Sequence, residues 1–475
     1  MSRNTLLVRR LIGDIETPVG VMLKLGADQP GTVLFESVAG GHQLDRFSFI
    51  GLEPQLWFRI TDGKAETDTD HRFLTATTID KTPLEALRWW VDHALAECTD
   101  ELPPMASGAF GYIGYDMIQH VEPIPMDNPN DLGVPEVLMM IPRAVIIFDH
   151  LYQELILVGR VIDDDTATAD ELLDTVEARL RIASPPTTAC KTTGPVKHDL
   201  NSNTSVNEFL AMVARSQEYI LAGDIFQVVP SQRLSTRFDL KSISLYRALR
   251  HLNPSAFMFH MNLGEVTLVG SSPEILVRVR DDRVAIRPLA GTRPCSGDKV
   301  EDQRRAEDLL ADEKELAEHL MLLDLGRNDV GRVAEYGSVE VTEQFIVEHY
   351  SHVMHIVSHV EGQLRPGLDA VDALFAGFPA GTVSGAPKIR AMQIIDELEI
   401  SRRGVYGGAI GYFGWNGDLD TCIALRTAII KDGWLHIQAG GGVVLDSDPE
   451  YEFDETMHKA QALIDAADLS ARYEV

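Results

Sequence analysis

The stretch FMFHMNLGEVTLVGSSPEILVRVRDDRVAI, residues 257–286, decides the fold class of this chain. It contains β-like runs at Phe257–Asn262, 266–270 and Ile275–Arg280, which are separated by short turns. Parallel neighbours need a long crossover connection, so strands joined by short turns pair in antiparallel fashion. The stretch therefore predicts an antiparallel sheet.

Helical patterns lie in groups beside these strands, at residues 206–222, 244–251, 303–325, 366–377, 388–399 and 449–467. A parallel, doubly wound sheet would instead alternate strands and helices one by one. We therefore predict an α+β protein with two layered antiparallel sheets that are flanked by helices.

The N-terminal part has short β-like runs at residues 33–37, 47–50, 55–60 and 109–112, and a helical pattern at 83–97. The apolar region 137–161 is interrupted by polar residues and is typical of two paired strands. Residues 183–205 are rich in Pro, Thr, Ser and Asn, a composition typical of an exposed connection. The sequence therefore predicts an N-terminal lobe at 1–182, a linker at 183–205 and a second domain at 206–475.

Composition restricts the functional class. The 475 residues include 45% hydrophobic and 24% charged positions, with a formal net charge of -30, so nucleic acid and anionic membranes are poor partners. The sequence has no signal-peptide pattern and no apolar run of ~20 residues, and we expect a cytoplasmic protein. The four cysteines (Cys98, Cys190, Cys295 and Cys422) are far apart, which argues against a disulfide framework or a zinc site.

A ligand site is indicated by QAGGGVVLDSDPEYEFDET, residues 438–456. The three glycines at 440–442 allow close approach of an anion to backbone N–H groups, and Asp448 is placed to cap a helix that begins at Pro449. Glu452 and Glu455 share one face of that helix. The combination suits Mg2+ bridging the protein and a carboxylate-bearing substrate. An ordinary helix start, where acids are favoured by the dipole, is the alternative.

A second carboxylate, Glu318, lies in KELAEHLMLLDL, residues 314–325, which has apolar residues on every side of a predicted helix. A buried carboxylate needs a cation or strong donors to stay ionised. A salt bridge to Arg327 or Arg332 would satisfy Glu318, but the acidic cluster at the C-terminus favours a shared metal.

Two further segments indicate ligand binding. FPAGTVSGAPK, residues 378–388, combines glycines, hydroxyls and prolines and is expected to be an irregular ligand loop, or else a structural turn. Arg426 is expected inside an apolar strand, TCIALRTAII at 421–430. A guanidinium there needs a carboxylate partner, and a substrate carboxylate is one candidate.

Ordered motifs through the chain resemble the chorismate-utilising enzymes, and among them most of all the anthranilate synthase component I family. The motifs are DIFQVVPSQR (224–233), LVGSSPEIL (268–276), IRPLAGTRP (286–294), EKELAEHLMLLDLGRNDVGR (313–332), HVMHIVSHVEGQL (352–364), FPAGTVSGAPKIRAM (378–392), RRGVYGGAIGY (402–412) and DTCIALRTA (420–428). The C-terminal glycine-rich motif also matches, and VLFES (33–37) and GAFGYIGYD (108–116) resemble the N-terminal lobe of that family.

The resemblance implies catalytic and metal-binding roles. Glu318 and Glu452, with Glu455 close by, would hold Mg2+ against the ring carboxylate of chorismate. Glu274 would be the general acid that protonates the leaving hydroxyl, and Thr382 would frame the ring. His355 would serve the later loss of pyruvate. As an alternative, His352, His355 and His359 have helical spacing and would be residues of a helix face.

The substrate-binding positions that the resemblance implies are Gly291, Thr292, Tyr406, Arg426, Gly440, Gly441, Gly442 and Lys388. Tyr406 and Arg426 would hold the enolpyruvyl carboxylate. Lys388 matches the family motif without a defined role.

Two positions separate related activities. Isochorismate and salicylate synthases carry a water-activating lysine where this chain has Gln227, and an amide cannot act as that base. Aminodeoxychorismate synthases carry a nucleophilic lysine where this chain has Ala290, and a methyl group cannot attack a ring carbon. External ammonia is then the expected nucleophile and anthranilate the expected product. Aminodeoxyisochorismate synthase, which stops before pyruvate loss, and aminodeoxychorismate synthase component I are the alternatives.

Partners and regulation follow from the same resemblance. No cysteine has a glutaminase-like context, so we expect ammonia from a separate glutamine amidotransferase subunit in a hetero-oligomer. L-tryptophan is the expected feedback inhibitor, at a pocket formed by Ser37, Asn253, Pro254, Phe257 and Met258. The chain departs from the usual inhibitor motif at Ala256 and Phe257, and tryptophan biosynthesis is the expected pathway.

Overall fold

The computed structural model describes residues 5–37, 46–95, 98, 102–183, 197–349 and 353–474. Within these ranges the strands are β1 (Leu6–Ile12), β2 (Val33–Glu36), β3 (Phe47–Thr61), β4 (Lys64–Asp68), β5 (Thr77–Ile79), β6 (Gly108–Ile113), β7 (Val137–Asp149), β8 (Glu154–Arg160), β9 (Asn201–Ser202), β10 (Gln227–Val228), β11 (Ser231–Arg237), β12 (Phe257–Asn262), β13 (Thr267–Ser272), β14 (Ile275–Arg280), β15 (Arg283–Ile286), β16 (Leu289–Pro294), β17 (Glu340–His349), β18 (Val353–Gln363), β19 (Gly385–Ala386), β20 (Ala409–Gly414), β21 (Leu419–Ile423), β22 (Thr427–Lys431) and β23 (Trp434–Gly440).

The α-helices of the same ranges are α1 (Pro18–Leu25), α2 (Pro83–Ala94), α3 (Thr166–Leu180), α4 (Val206–Leu221), α5 (Ser242–Leu252), α6 (Lys299–Ala311), α7 (Glu313–Val333), α8 (Ala370–Gly377), α9 (Gly381–Ser384), α10 (Lys388–Leu398) and α11 (Pro449–Leu469). Short 3-10 helices are formed by Pro104–Ser107, Tyr115–His120 and Ser470–Tyr473.

Strands β10 and β19 form a separate pair, and the other strands form two antiparallel sheets that are continuous through β3 and β7. Sheet I has the order β9, β11, β23, β22, β13, β12, β2, β3, β7, β8, β1. Sheet II has the order β5, β4, β3, β7, β6, β20, β21, β14, β15, β18, β17, with β16 pairing to β18 beyond β15. The hairpins β12–β13 and β14–β15 confirm the antiparallel prediction. The expected pairing of β13 with β14 is wrong, because β13 pairs with β12 and β22 in sheet I and β14 pairs with β15 and β21 in sheet II.

Strands β3 and β7 belong to both sheets. Residues 47–52 of β3 pair with β7 in sheet I, and residues 56–60 pair with the other half of β7 in sheet II. Pro54 lies opposite Pro142 at the change of sheet, and the register shifts between Pro54 and Leu56. Proline cannot donate to a strand ladder, so the pairing weakens there and the two strands can pass from one sheet to the other.

Alternating side chains build three apolar layers. Phe35 and Phe259 of sheet I meet Phe110 and Tyr412 of sheet II between the sheets. The outer face of sheet I packs against α1, α3, α5 and α11, and the outer face of sheet II packs against α2, α7 and α8. The result is a helix–sheet–sheet–helix sandwich, as the sequence predicts.

Both halves of the chain supply strands to these sheets, because β2 pairs with β12 and β6 pairs with β20. The division into two lobes stays a prediction, and residues 184–196 of the linker lie outside the described residues. Within the described ranges, no helix has both the length and the apolar character that crossing a bilayer requires.

Two expectations about single elements are wrong. The helical pattern at 303–325 is two helices, because Asp312 ends α6 and its side chain accepts hydrogen bonds from the Lys314 and Glu315 amides at the start of α7. The helix expected from residue 366 begins only at Ala370, where Asp369 caps α8. In both cases an aspartate that caps the backbone overrides the apolar periodicity.

Candidate active site

The C-terminal glycine motif brings α11 against β10. Asp448 caps α11 by accepting a hydrogen bond from the Tyr451 amide at 2.9 Å, which confirms the expected helix start. A Cβ atom on Gly441 would lie 3.0 Å from Glu452 Oε2, and one on Gly442 would lie 2.8 Å from Gln227 Nε2. The backbone at these two glycines therefore lies close to the side chains of Glu452 and Gln227.

Glu452 is the most confined carboxylate of this region. Its side chain is 5% exposed, and Oε2 has no hydrogen-bond partner among the described residues. Burial, together with the neighbouring Glu455, raises the pKa of Glu452 to about 7, although Ser447 and Lys459 lower it. A buried carboxylate oxygen without a hydrogen-bond partner is costly, and a bound cation would satisfy it.

Glu318 lies on α7 and faces the same region. Its Oε1 accepts a hydrogen bond from Gln227 Nε2 at 3.4 Å, and burial together with Glu315 raises its pKa. The salt bridges considered from the sequence are not formed, because Arg327 pairs with Asp324 and Arg332 pairs with Glu122.

The expectation of a fully buried helix around Glu318 is wrong. Leu320 on α7 is 54% exposed, and Glu318 itself is half-buried. Apolar residues around the whole circumference indicated burial, but only one side of α7 packs against the sheet II core through Leu322 and Leu323.

Lys459 is a positive charge close to the carboxylates of this region, and sequence reasoning missed it. Its ammonium donates to the Gly440 carbonyl at 3.0 Å and pairs with Glu455 at 2.8 Å. Its charge also lowers the pKa of Glu318 and of Glu452, so it lies near both. The i,i+4 spacing from Glu455 on α11 was the available signal.

The donor set fits an open magnesium site. Among the described residues no three His, Cys, Asp or Glu side chains lie close enough to hold a metal by themselves. Mg2+ is commonly held by one or two carboxylates, with water and substrate oxygens completing the shell. Burial of Glu318 and Glu452 makes two uncompensated negative charges costly. The two carboxylates are therefore suited to share one ion.

Glu274 lies immediately before β14, in the short connection that follows β13. It is 7% exposed, and burial raises its pKa to about 8, although Thr382, the Leu289 amide and Arg426 lower it. The Thr382 Oγ1 atom lies close to the Glu274 carboxyl, although not in good hydrogen-bond geometry. Most of the Glu274 carboxyl is consequently protonated at neutral pH, which suits a general acid.

Arg426 is not inside a strand, and that expectation is wrong. It lies between β21 and β22 with a backbone φ of 48°, a left-handed conformation that is uncommon for a residue with a side chain. Its charge lowers the pKa of both Glu274 and His355, so the guanidinium lies near the two groups. Residues 424–426 connect β21 of sheet II to β22 of sheet I, and the apolar residues of those two strands flank them.

His355 lies on β18, opposite Thr292 of β16. Its Nδ1 atom lies 2.9 Å from the Gly291 carbonyl and 3.0 Å from Thr292 Oγ1. A carbonyl can only accept, so Nδ1 carries the proton and Nε2 is the basic nitrogen. Burial lowers the pKa of His355 to about 4, which keeps the ring neutral.

The alternative of a histidine-bearing helix is wrong, because residues 353–363 are strand β18. His352 lies outside the described residues.

Tyr406 lies against the glycine motif, and Arg403 lies beside Tyr406. A Cβ atom on Gly440 would lie 3.0 Å from the Tyr406 hydroxyl. Burial raises the pKa of Tyr406 to about 12, so the phenol keeps its proton. Arg403, a buried residue that sequence reasoning missed, pairs with Glu399 at 2.6 Å and lies 5.4 Å from the Tyr406 ring.

Residues 378–388 are more regular than expected. They contain the single turn of α9 and the short strand β19, which pairs with β10 at Gln227. Lys388 donates to Asp329 Oδ2 at 2.7 Å and to the Gly377 carbonyl at 3.1 Å. These contacts tie α10 to α7 and α8, and a substrate-binding role for Lys388 stays a prediction.

A separate cavity of about 130 Å3 lies between the two sheets. It is far larger than the roughly 10–15 Å3 that one water requires. Ser37, Phe257 and Met258 line it, together with Phe35 and Arg278. Asn253 and Pro254 follow α5 and are not part of this lining, so the structure brings together three of the five residues expected to bind the inhibitor.

The sequence profile of the chorismate binding enzyme family matches residues 36–465. Anthranilate synthase component 1 of Cereibacter sphaeroides is 48% identical over 98% of this chain and 95% of its own length. The protein of the same name from Pseudomonas putida is 47% identical over 97% and 94%. The crystal structure of anthranilate synthase component I from Streptococcus pneumoniae has a TM-score of 0.80 at 37% identity, covering 90% of this chain and 95% of that one.

Proposed function

Since this chain belongs to the chorismate binding enzyme family, and within it to the anthranilate synthase component 1 proteins, we propose that it converts chorismate and ammonia into anthranilate and pyruvate. The observation that carries the proposal is a buried acid and a buried base near one arginine. Glu274 has a pKa of about 8 and His355 a pKa of about 4, so the first is protonated and the second neutral at pH 7. When the protein environment separates the pKa values of two titratable groups in this way, the group with the raised pKa is suited to act as the acid and the other as the base.

In the first step ammonia attacks C2 of the ring and the C4 hydroxyl leaves. Hydroxide is a poor leaving group, and Glu274 would supply the proton that lets it depart as water. In the second step a base removes the C2 proton and pyruvate is expelled. His355 Nε2 is the neutral nitrogen available for that step, held by the contact of Nδ1 with the Gly291 carbonyl.

Positive charge and hydrogen-bond donors would hold the substrate. Arg426 lies near both Glu274 and His355, and Tyr406 keeps its phenolic proton, so the two are suited to the enolpyruvyl carboxylate. The ring could approach the backbone of Gly440, Gly441 and Gly442 closely, because glycine has no side chain. Mg2+ held by Glu318 and Glu452, with Glu455 nearby, would neutralise and orient the ring carboxylate.

The ammonia would come from a partner. The relatives are named component 1, which implies a second component, and we infer that this is a glutamine amidotransferase. The −30 charge of the chain offers no general attraction for an anionic substrate, so capture depends on local groups such as Arg426 and Lys459.

L-tryptophan is the inhibitor that we propose for the cavity between the sheets. Phe35 and Phe257 offer aromatic contacts for an indole, and Arg278 supplies a positive charge for an amino-acid carboxylate. Inhibition by the end product would place the reaction at the entry of tryptophan biosynthesis.

The test is a product assay on the purified chain with chorismate, an ammonium salt and Mg2+ at alkaline pH. Anthranilate, detected by its fluorescence and confirmed by mass, is the expected product. Accumulation of aminodeoxyisochorismate without anthranilate would instead assign the alternative activity that lacks pyruvate loss. Matched reactions without Mg2+, and with glutamine in place of ammonium, should be inactive for the chain alone.

A further inference from the structure

A small cavity lies behind Glu274. It has a volume of about 30 Å3 and is lined by residues of β14, the preceding turn, helices α7 to α9, and Ile286 and Pro288. One water requires roughly 10–15 Å3, so about two waters fit. Its polar lining residues include Glu274, Thr382 and Asp329.

The polar groups of this cavity are incompletely satisfied. Glu274 is 7% exposed, and the buried Thr382 Oγ1 atom lies close enough to its carboxyl to lower the pKa of Glu274, but not in good hydrogen-bond geometry. Asp329 Oδ2 accepts from Lys388 at 2.7 Å, whereas its Oδ1 accepts only at 3.4 Å from the neighbouring Asn328. Dry cavities are lined by apolar groups alone, whereas buried polar groups without partners are usually satisfied by ordered water.

Glu274 and Thr382 are the only residues that line the cavity among those assigned to catalysis or to the substrate. Tyr406, Arg426 and the glycines at 440–442 are absent from its lining, which is completed by apolar residues such as Leu322 and Pro288. Water in it would lie beside Glu274 and apart from Tyr406 and Arg426.

We propose that this cavity is a water site that supports the general acid, and that Asp329 and Lys388 are positioning residues that fix the water. The inference rests on the proposed function of Glu274. As Glu274 gives its proton to the departing C4 oxygen, its carboxyl becomes a carboxylate. Water held behind it donates hydrogen bonds to that developing charge, which lowers the barrier of the step. Lys388 would then act through Asp329 and not by touching the substrate.

Gly326→Ala tests the proposal. Gly326 lies on α7 and lines the cavity, and an added Cβ would meet Ile286 Cγ2 at 3.7 Å and Pro288 Cδ at 3.9 Å, which are ordinary contacts with two cavity-lining residues. The methyl group fits but takes space from the water. We expect kcat for anthranilate to fall about tenfold, the order expected for one lost hydrogen bond to a charged group, with KM unchanged.

The same variant should keep or raise the melting temperature, because alanine is the better helix former. If Gly326 had only a structural role, the substitution would change the melting temperature and would not change kcat alone. Gly331→Ala is the matched control, since it adds a methyl group to the same helix where nothing lies within 4 Å. It should leave kcat unchanged. Equal kcat values for Gly326→Ala and the wild-type chain would overturn the proposal.

A high-resolution crystal structure of the wild-type chain gives a second test that does not depend on any variant. One or two ordered waters within hydrogen-bond distance of Glu274 and Thr382 are expected, and a dry cavity would overturn the proposal. The product assay separates the two levels of argument. A wild-type chain that makes no anthranilate contradicts the proposed function, whereas anthranilate formation with unaltered Gly326→Ala kinetics contradicts only the water site.

Discussion

Glu274→Gln should remove catalysis and at the same time stabilise the fold. The glutamine keeps the shape of the protonated carboxyl but has no proton to give to the leaving hydroxyl. It also cannot ionise inside the protein. Loss of activity accompanied by a gain in stability distinguishes a functional burial of Glu274 from a structural one.

The magnitude follows from the pKa of Glu274. The ordinary value is 4.5, and burial raises it to about 8 in the folded protein. Between these values the folded state holds a proton that the unfolded chain has lost, so stability falls as pH rises from 4.5 towards 8. At pH 7 the wild-type protein loses about 3 kcal/mol of unfolding free energy in this way. The variant should recover that amount.

The assay is denaturant unfolding of both proteins at pH 5 and pH 7, together with ammonium-dependent anthranilate formation. The stability difference should be small at pH 5 and about 3 kcal/mol at pH 7, while kcat falls by at least ~100-fold, as expected for a lost general acid. A pH-independent difference in stability, or a variant that keeps the wild-type rate, would refute the reasoning.

Glu399→Gln is the matched control. Glu399 is also 7% exposed, but it pairs with the buried Arg403 guanidinium at 2.6 Å. Removing its charge leaves that guanidinium without compensation, which costs about 3–5 kcal/mol. The same chemical change at equal burial should therefore destabilise the protein at position 399 and stabilise it at position 274.

Three further variants probe the remaining roles. Glu452→Gln removes an ionic ligand and should lower turnover at least ~100-fold while weakening the dependence on Mg2+, measured by titration of the metal. Glu450→Gln, at an exposed position of the same helix, is the control. Full activity of Glu452→Gln would exclude the metal role. His355→Met should slow pyruvate release more than amination, so aminodeoxyisochorismate should accumulate by chromatography, and equal slowing of both steps would exclude a separate role. Phe257→Ala should weaken tryptophan binding about tenfold by calorimetry with anthranilate formation retained, and unchanged affinity would place the inhibitor elsewhere.

The fold class was accessible from sequence because turn length fixes strand direction. The short turns after residues 262 and 280 require antiparallel neighbours, whatever the side chains are. The sharing of β3 and β7 between two sheets was not accessible. It depends on Pro54 meeting Pro142, which are distant in sequence and face each other only once the strands have paired.

The site was predictable where a motif has a local cause. Asp448 before Pro449 indicated a helix start, and the glycines at 440–442 indicated close approach of the backbone. Sequence reasoning failed where a contact joins distant elements. The partner of Lys388 is Asp329 on another helix, and Arg426 reads as a strand residue because the turn that contains it has no proline or glycine.

The central claim is that Glu318 and Glu452, remote in sequence, share one divalent ion with the substrate. Crystals soaked with Mn2+ and chorismate, without ammonia, test it through the anomalous signal of the metal. One Mn2+ bound by oxygens of both glutamates and by a carboxylate of chorismate is the predicted result. A metal bound elsewhere, or chorismate seated with Glu318 held by Gln227 and no ion between the two glutamates, would contradict the account.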